Sequence, residues 1–295
     1  MLLSLPSELR EVVKDLDACV RALGPYEEDA MLVGGLVPLL YRIAFPAPIA
    51  AANPLTTFDI DWVLPVPLAI RDNEGLHARM LKADFVPTET QTVKSDNPKV
   101  RYHHARHGKS RLAPIHVEFL GPRSGGSTDR KGKDCTLREI QNGLIAELLP
   151  YLNVLQFRPL AVNVSQLEGW GEPSSIMVRV PHPACYVVQK ALIREKRLPD
   201  KKDNDAAQIY DVAMLTRRIW PQIAAVVEDL ESANFPRTWL RRASACLQQM
   251  FADPAADGTR GVCRTFRDFT EAKHRPTEDA VFRAMRAFLS AAKFA

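Results

Sequence analysis

"TTFDIDWVLP", residues 56–65, puts Asp59 and Asp61 one residue apart inside an apolar, β-branched run. If this run is a strand, alternation turns both carboxylates to one face, roughly 6–7 Å apart along the chain. Half-buried strands rarely carry two charges on one face, because a carboxylate leaves water only when paired or bound to a cation. Two acids so placed can chelate a hard divalent ion. The chain holds two further Asp-x-Asp pairs. Asp15/Asp17 falls on a predicted helix, where residues two apart diverge, and reads as a solvated face. Asp203/Asp205 opens the helical half of the chain.

A second apolar run, "PIHVEFLGP" (114–122), carries Glu118 in its middle. There Ile115, Val117 and Phe119 face one way, and His116, Glu118 and Leu120 the other. If this strand neighbours the first, three carboxylates converge on one surface. Such a cluster repels itself without a cation, which is the mark of a magnesium site for phosphoryl or nucleotidyl chemistry. Upstream, "AMLVGG" (30–35) reads as a short buried strand running into Gly34-Gly35, and "LVPLLYRI" (36–43) as a helix. Two glycines at a helix start leave bare N–H groups and the helix's positive end available to a phosphate. Neither GxxxxGK[ST] nor GxGxxG occurs, so the common ATPase and dinucleotide readings lose their main support.

The composition, 46% hydrophobic and 25% charged over 295 residues, is that of a globular chain long enough for one large domain or two ordinary ones. A net charge of +4 permits an anionic substrate without demanding one. No apolar run approaches a membrane span, and the start carries Glu8, Glu11, Asp15 and Asp17 where a signal peptide would be apolar. Five dispersed cysteines without a CxxC pair read as reduced thiols, and the chain is expected to be cytoplasmic with no membrane partner.

Along the chain, residues 6–23 predict an amphipathic helix capped by Ser7, and 72–84 another helix. Residues 85–93 alternate like a strand. "KVRYHHA" and "LAPIHVEFL" form a predicted hairpin around 106–111. His103, His104 and His107 lack cysteine or carboxylate ligands at zinc spacings, so they read as a solvated basic hairpin. Residues 137–149 predict a helix, with strands at 151–164 and 175–180. Helical patterns then run over 184–197, 203–219, 220–232, 236–251, 261–272 and 277–293. Mixed elements first and helices afterwards predict two domains, 1–182 and 183–295.

These residues resemble the nucleotidyltransferase superfamily that includes DNA polymerase β. Its signature is a strand, a Gly-Gly or Gly-Ser turn, a helix, a strand with Asp-x-Asp, and a later strand with a third carboxylate. Here those are "LVGG", "LVPLLYRI", "TTFDIDWVL" and "IHVEFL". Thr57 also matches the T-x-D-x-D form of bacterial members similar to AbiEii-type toxins. In "HPACYVVQKALIREKRLPDKKDNDAAQIYDVAML" (182–215), Lys190 matches the family's helix lysine. Arg194 and Arg197 match its basic positions, Lys202 with Asp205 its turn, and Asp211 its last acidic position. The likeness covers residues 30–215. Two departures stand out: 24 positions separate Gly35 from Asp59, and Gly-Gly replaces the Gly-Ser of many active enzymes.

The resemblance implies an α+β fold: a nucleotidyltransferase-type mixed β-sheet flanked by helices, followed by an all-helical C-terminal domain. It implies a metal-dependent enzyme moving a nucleoside monophosphate from an NTP to a hydroxyl of RNA, protein or a small molecule. Asp59, Asp61 and Glu118 would be the catalytic residues and hold two Mg²⁺ ions. Gly34, Gly35, Thr57, Lys190, Arg194, Lys202 and Asp205 would bind the nucleotide. A tRNA or other RNA acceptor, and an antitoxin or regulatory partner, come with the toxin-like branch. The alternative is a non-catalytic nucleotide- or nucleic-acid-binding regulatory module of the same fold.

Overall fold

The computed structural model describes residues 5–46, 59–90, 99–106, 115–123, 136–171, 175–233, 235–269 and 275–294. The described residues fall into two compact units. One draws on Met1–Val37, Thr57–Asn153 and Leu160–Val180, the other on Pro38–Thr56, Val154–Pro159 and Pro181–Ala295.

The first unit is organised around a mixed sheet. Its strands are β1 (Met31–Val33), β2 (Asp59–Val63), β3 (Phe85–Thr90), β4 (Lys99–His104), β5 (His116–Pro122), β6 (Leu137–Gln141) and β7 (Leu144–Leu149). The order is β1-β2-β5-β4-β3, with β7 pairing both β5 and β6. β2 and β5 run parallel in the register Asp59↔His116, Ile60↔Val117, Asp61↔Glu118 and Trp62↔Phe119. One face of this pair buries Ile60, Trp62, Val117 and Phe119 almost completely. Each such side chain contributes about 1.5–3 kcal/mol. A one-residue slip of β2 would turn Asp59 and Asp61 into the core in place of Ile60 and Trp62, so burial itself fixes the register. Tyr102 of β4 stacks edge-on against Phe119, with ring centroids 5.5 Å apart. β8 (Leu160–Asn163) and β9 (Met177–Val180) form a separate antiparallel pair in the same unit.

Helices α1 (Ser7–Leu23) and α3 (Leu76–Lys82) complete this unit. The N-cap of α1 is Pro6, with no side-chain cap, so Ser7 is the first helical residue and not the cap. Asp15 is not solvated as expected. It is fully buried, and the Arg106 guanidinium just beyond β4 pairs with it. Residues 137–149 are not a helix but the β6–β7 hairpin. The turn is Asn142-Gly143, and Gly143 sits at φ +74°, a conformation open to glycine. The expected strand over 151–164 is a short helix, α4 (Leu152–Leu155), followed by β8.

In the second unit, α2 (Val37–Ala44, all but its first residue) joins α5 (Pro183–Ile193), α6 (Pro199–Leu215), α7 (Trp220–Ser232), α8 (Arg237–Met250), α9 (Asp257–Phe269) and α10 (Glu278–Ala291). α5 is buried from Pro183 to Leu192, which makes it the central element. α6, α7 and α8 all pack against it, and α9 and α10 pack against α6. Tyr41 of α2 donates to the Pro181 carbonyl at 2.7 Å and meets the Tyr186 ring edge-on. Arg42 donates to both carboxylate oxygens of the buried Asp211, at 2.8 and 3.0 Å.

His182 caps α5: its Nδ1 accepts the Ala184 N–H at 3.2 Å. Burial, helped by the nearby Arg158 charge, pushes its pKa down to about 4. The fold therefore favours the neutral ring. The associated stability is complete above pH ~6.5 and is lost as the pH falls through that value toward 4, in all about 3 kcal/mol. His182→Asn keeps an acceptor for the cap and cannot titrate. Urea unfolding at pH 7 and pH 4.5 should show a smaller acid loss for this variant than for the parent protein.

Candidate active site

Asp59, Asp61, His116 and Glu118 share the face of the β2–β5 pair opposite the buried Ile60 and Trp62, with Asp61 directly beside Glu118. The two aspartates are half-buried and Glu118 is buried. β1 lies on the far side of β2, antiparallel, with Val33 opposite Asp61. The chain then leaves β1 through a single 3-10 turn, Gly34–Leu36, into α2.

That turn delivers Gly34 onto Asp61. Gly34 has φ +75°, and a Cβ built there would lie 2.0 Å from Asp61 Oδ2. Only glycine meets both conditions. Gly34→Ala should cost about 1–2 kcal/mol from backbone strain alone, and it must also displace the Asp61 carboxylate. Thermal unfolding of the variant beside the parent should show the loss as a lower melting temperature.

On the other side of β5, Tyr102 pairs with Val117, which brings Arg101 of β4 beside Glu118. Arg101 Nε and Glu118 Oε1 lie 2.6 Å apart. His116 Nδ1 is buried and has no hydrogen-bond partner among the described residues. Burial and the Arg101 charge lower the pKa of its ring, against the opposing pull of Asp59 and Glu118. Three acids, a guanidinium and an imidazole thus form one face. Hard oxygen donors in adjacent register are the donor set magnesium takes. As the side chains stand, no three His, Cys, Asp or Glu groups among the described residues gather closely enough to hold an ion. Glu118 lies against Arg101.

Thr57 lies outside the described residues, as does His107. The remaining expected nucleotide-binding residues sit in the second unit. Lys190 is buried and its Nζ donates to Asp205 Oδ1 at 2.7 Å, while Arg197 Nε donates to Asp205 Oδ2 at 3.1 Å. Arg194 donates to the Lys202 carbonyl at 2.7 Å and to Asp257 at 2.6 Å. These side chains hold one another, with Asp205 as the shared acceptor of two cations. Asp203, the other member of its Asp-x-Asp pair, is engaged by Arg264.

A family model described as nucleotidyltransferase matches residues 11–230, three quarters of the chain. The chain belongs to the nucleotidyltransferase family. The match spans the diglycine turn, both acidic strands and the helices that carry Lys190 and Asp205, so this nucleotidyltransferase takes an NTP as its substrate. No curated protein matches it. No described helix is long and apolar enough to cross a membrane.

Sequence reasoning missed Arg101 and His116 as members of the site. Arg101 lies in "KVRYHHA", the first strand of the expected hairpin, where nothing marks it as a site residue. Its signal was available in the alternation of "KVRYHH": an antiparallel β4 paired at Tyr102 puts Arg101 and His103 on the face that carries Glu118.

Proposed function

We propose that the protein is a magnesium-dependent enzyme that transfers a nucleoside monophosphate from an NTP to an acceptor hydroxyl. The observation that supports this most is the parallel β2–β5 register, in which Asp61 and Glu118 stand side by side with the diglycine turn against Asp61. Asp59, Asp61 and Glu118 would hold the metal. Bound there, magnesium would neutralise phosphate charge and lower the pKa of the attacking hydroxyl.

The chain's own groups account for the rest. The acceptor oxygen forms a bond to the α-phosphorus, the bond from that phosphorus to the bridging oxygen breaks, and pyrophosphate leaves with the electron pair. The hydroxyl proton passes to a carboxylate of the face, with Glu118 the assigned base. Gly34 and Gly35 present backbone N–H groups to the β- and γ-phosphates, in the place of the serine hydroxyl that a Gly-Ser turn would supply. Lys190, Arg194, Lys202 and Asp205 are assigned to the nucleotide by family likeness alone. An RNA acceptor, tRNA included, and an antitoxin partner rest on the T-x-D-x-D likeness to AbiEii-type toxins.

Incubation with each labelled NTP and total RNA, in magnesium and in EDTA, tests the reading. Label transferred to RNA, or pyrophosphate released with another acceptor, is expected in magnesium only. Nucleotide binding without pyrophosphate release under every condition would instead favour a regulatory module of the same fold.

A further inference from the structure

Four residues of the β2–β5 pair stand at the corners of a rectangle. Asp59 pairs with His116 and Asp61 with Glu118 across the two parallel strands. Neighbouring strands lie about 4.8 Å apart, and alternate residues along a strand about 6.6 Å apart. An ion above the centre is therefore within one side chain's length of all four backbones. Three corners offer carboxylate oxygen. The fourth offers imidazole, and its placement is costly as it stands: Nδ1 is buried without a hydrogen-bond partner among the described residues. Core packing does not call for histidine here, because the ring lies on the polar face, opposite the buried Val117 and Phe119. A bound cation would supply the partner that this nitrogen lacks.

We infer that His116 is a fourth ligand on the acidic face and tilts the site toward a first-row transition ion such as Mn²⁺, at the expense of Mg²⁺. The inference rests on the metal-site assignment proposed above. Mg²⁺ is a hard cation that takes oxygen ligands. Divalent transition ions accept imidazole as well, and their affinity for mixed nitrogen and oxygen sites rises from manganese onward. Carboxylates and water serve both kinds of ion. Exchanging one water for an imidazole nitrogen favours only the second.

Pulsed electron paramagnetic resonance of Mn²⁺ bound to the full chain reads the ligand directly, without nucleotide or turnover. The parent should show the echo modulation of a coordinated imidazole nitrogen. His116→Gln and His116→Ala, each checked by circular dichroism, should still bind Mn²⁺ but lose that modulation. His103→Gln, which removes another imidazole of the same face, should keep it. In competition titrations, the preference for Mn²⁺ over Mg²⁺ should fall by about tenfold or more in the two His116 variants. Absence of nitrogen modulation in the parent would overturn the inference, whatever the variants do. Its persistence in a His116 variant, or an unchanged ion preference, would do the same. Asp61→Asn in the same titration keeps the two claims apart. If it holds Mn²⁺ as tightly as the parent, the metal-site assignment fails and takes the inference with it. If it releases the ion while the parent's echo shows oxygen ligands only, the carboxylates stand and the role of His116 alone falls.

Discussion

Asp61→Asn should lower magnesium-dependent nucleotide transfer at least about 1000-fold, equivalent to ~4 kcal/mol of transition-state stabilisation. The amide keeps the size of the carboxylate and removes its charge, so the packing of Gly34 against it is preserved. Asp61 is also half-buried, so the fold has little to lose. The far-ultraviolet spectrum and melting temperature should match the parent. Asp59→Asn, one position along the same face, should behave alike. Pyrophosphate release from each NTP, measured in magnesium, checks both. Parent-like turnover in the two variants would remove the acidic face from the chemistry.

Asp205→Ala is expected to act on stability instead. Asp205 is buried and receives Lys190 and Arg197, and Lys190 is itself buried. Without Asp205 the Lys190 ammonium is left in the core of the helical unit with no counter-charge. Breaking a buried ion pair from one side costs about 3–5 kcal/mol. Arg197, more exposed, can turn to solvent and adds little. The double variant Asp205→Ala/Lys190→Met should recover most of the loss, because it removes the stranded charge as well. Urea denaturation of the parent, both single variants and the double variant closes the cycle. Additive losses would show that the two side chains do not depend on each other.

The acidic face was legible from alternation alone. Ile60 and Trp62, like Val117 and Phe119, are large apolar residues at every second position, and their burial leaves Asp59, Asp61 and Glu118 no other side. The adjacency of β2 and β5 was not so determined, since the β3–β4 hairpin separates them in the chain and only pairing in space makes them neighbours. Residues 137–149 deceived for a local reason. "LREIQNGLIAELL" holds good helix formers on both sides of Asn142-Gly143, and the turn signal outweighs their propensity once β5 offers β7 a parallel edge. Asp15 was misread because helical spacing speaks of its own helix only. The Arg106 that makes its burial tolerable is 91 residues away. Arg101 stayed hidden likewise: a basic residue in a strand looks solvated until the strand beside it is known.

The second unit recruits α2 from the amino-terminal part of the chain, a fact with consequences for dissecting the protein. A fragment ending at residue 182 would retain Tyr41 and Arg42 but lack Tyr186 and Asp211, their partners in the intact chain. Its helix would display an apolar flank and an orphaned guanidinium, so such a piece should aggregate rather than fold as an autonomous module. Evolution faces the same constraint. The carboxyl-terminal helices cannot be exchanged for another domain by a single crossover, because part of their core is encoded upstream of the aspartates.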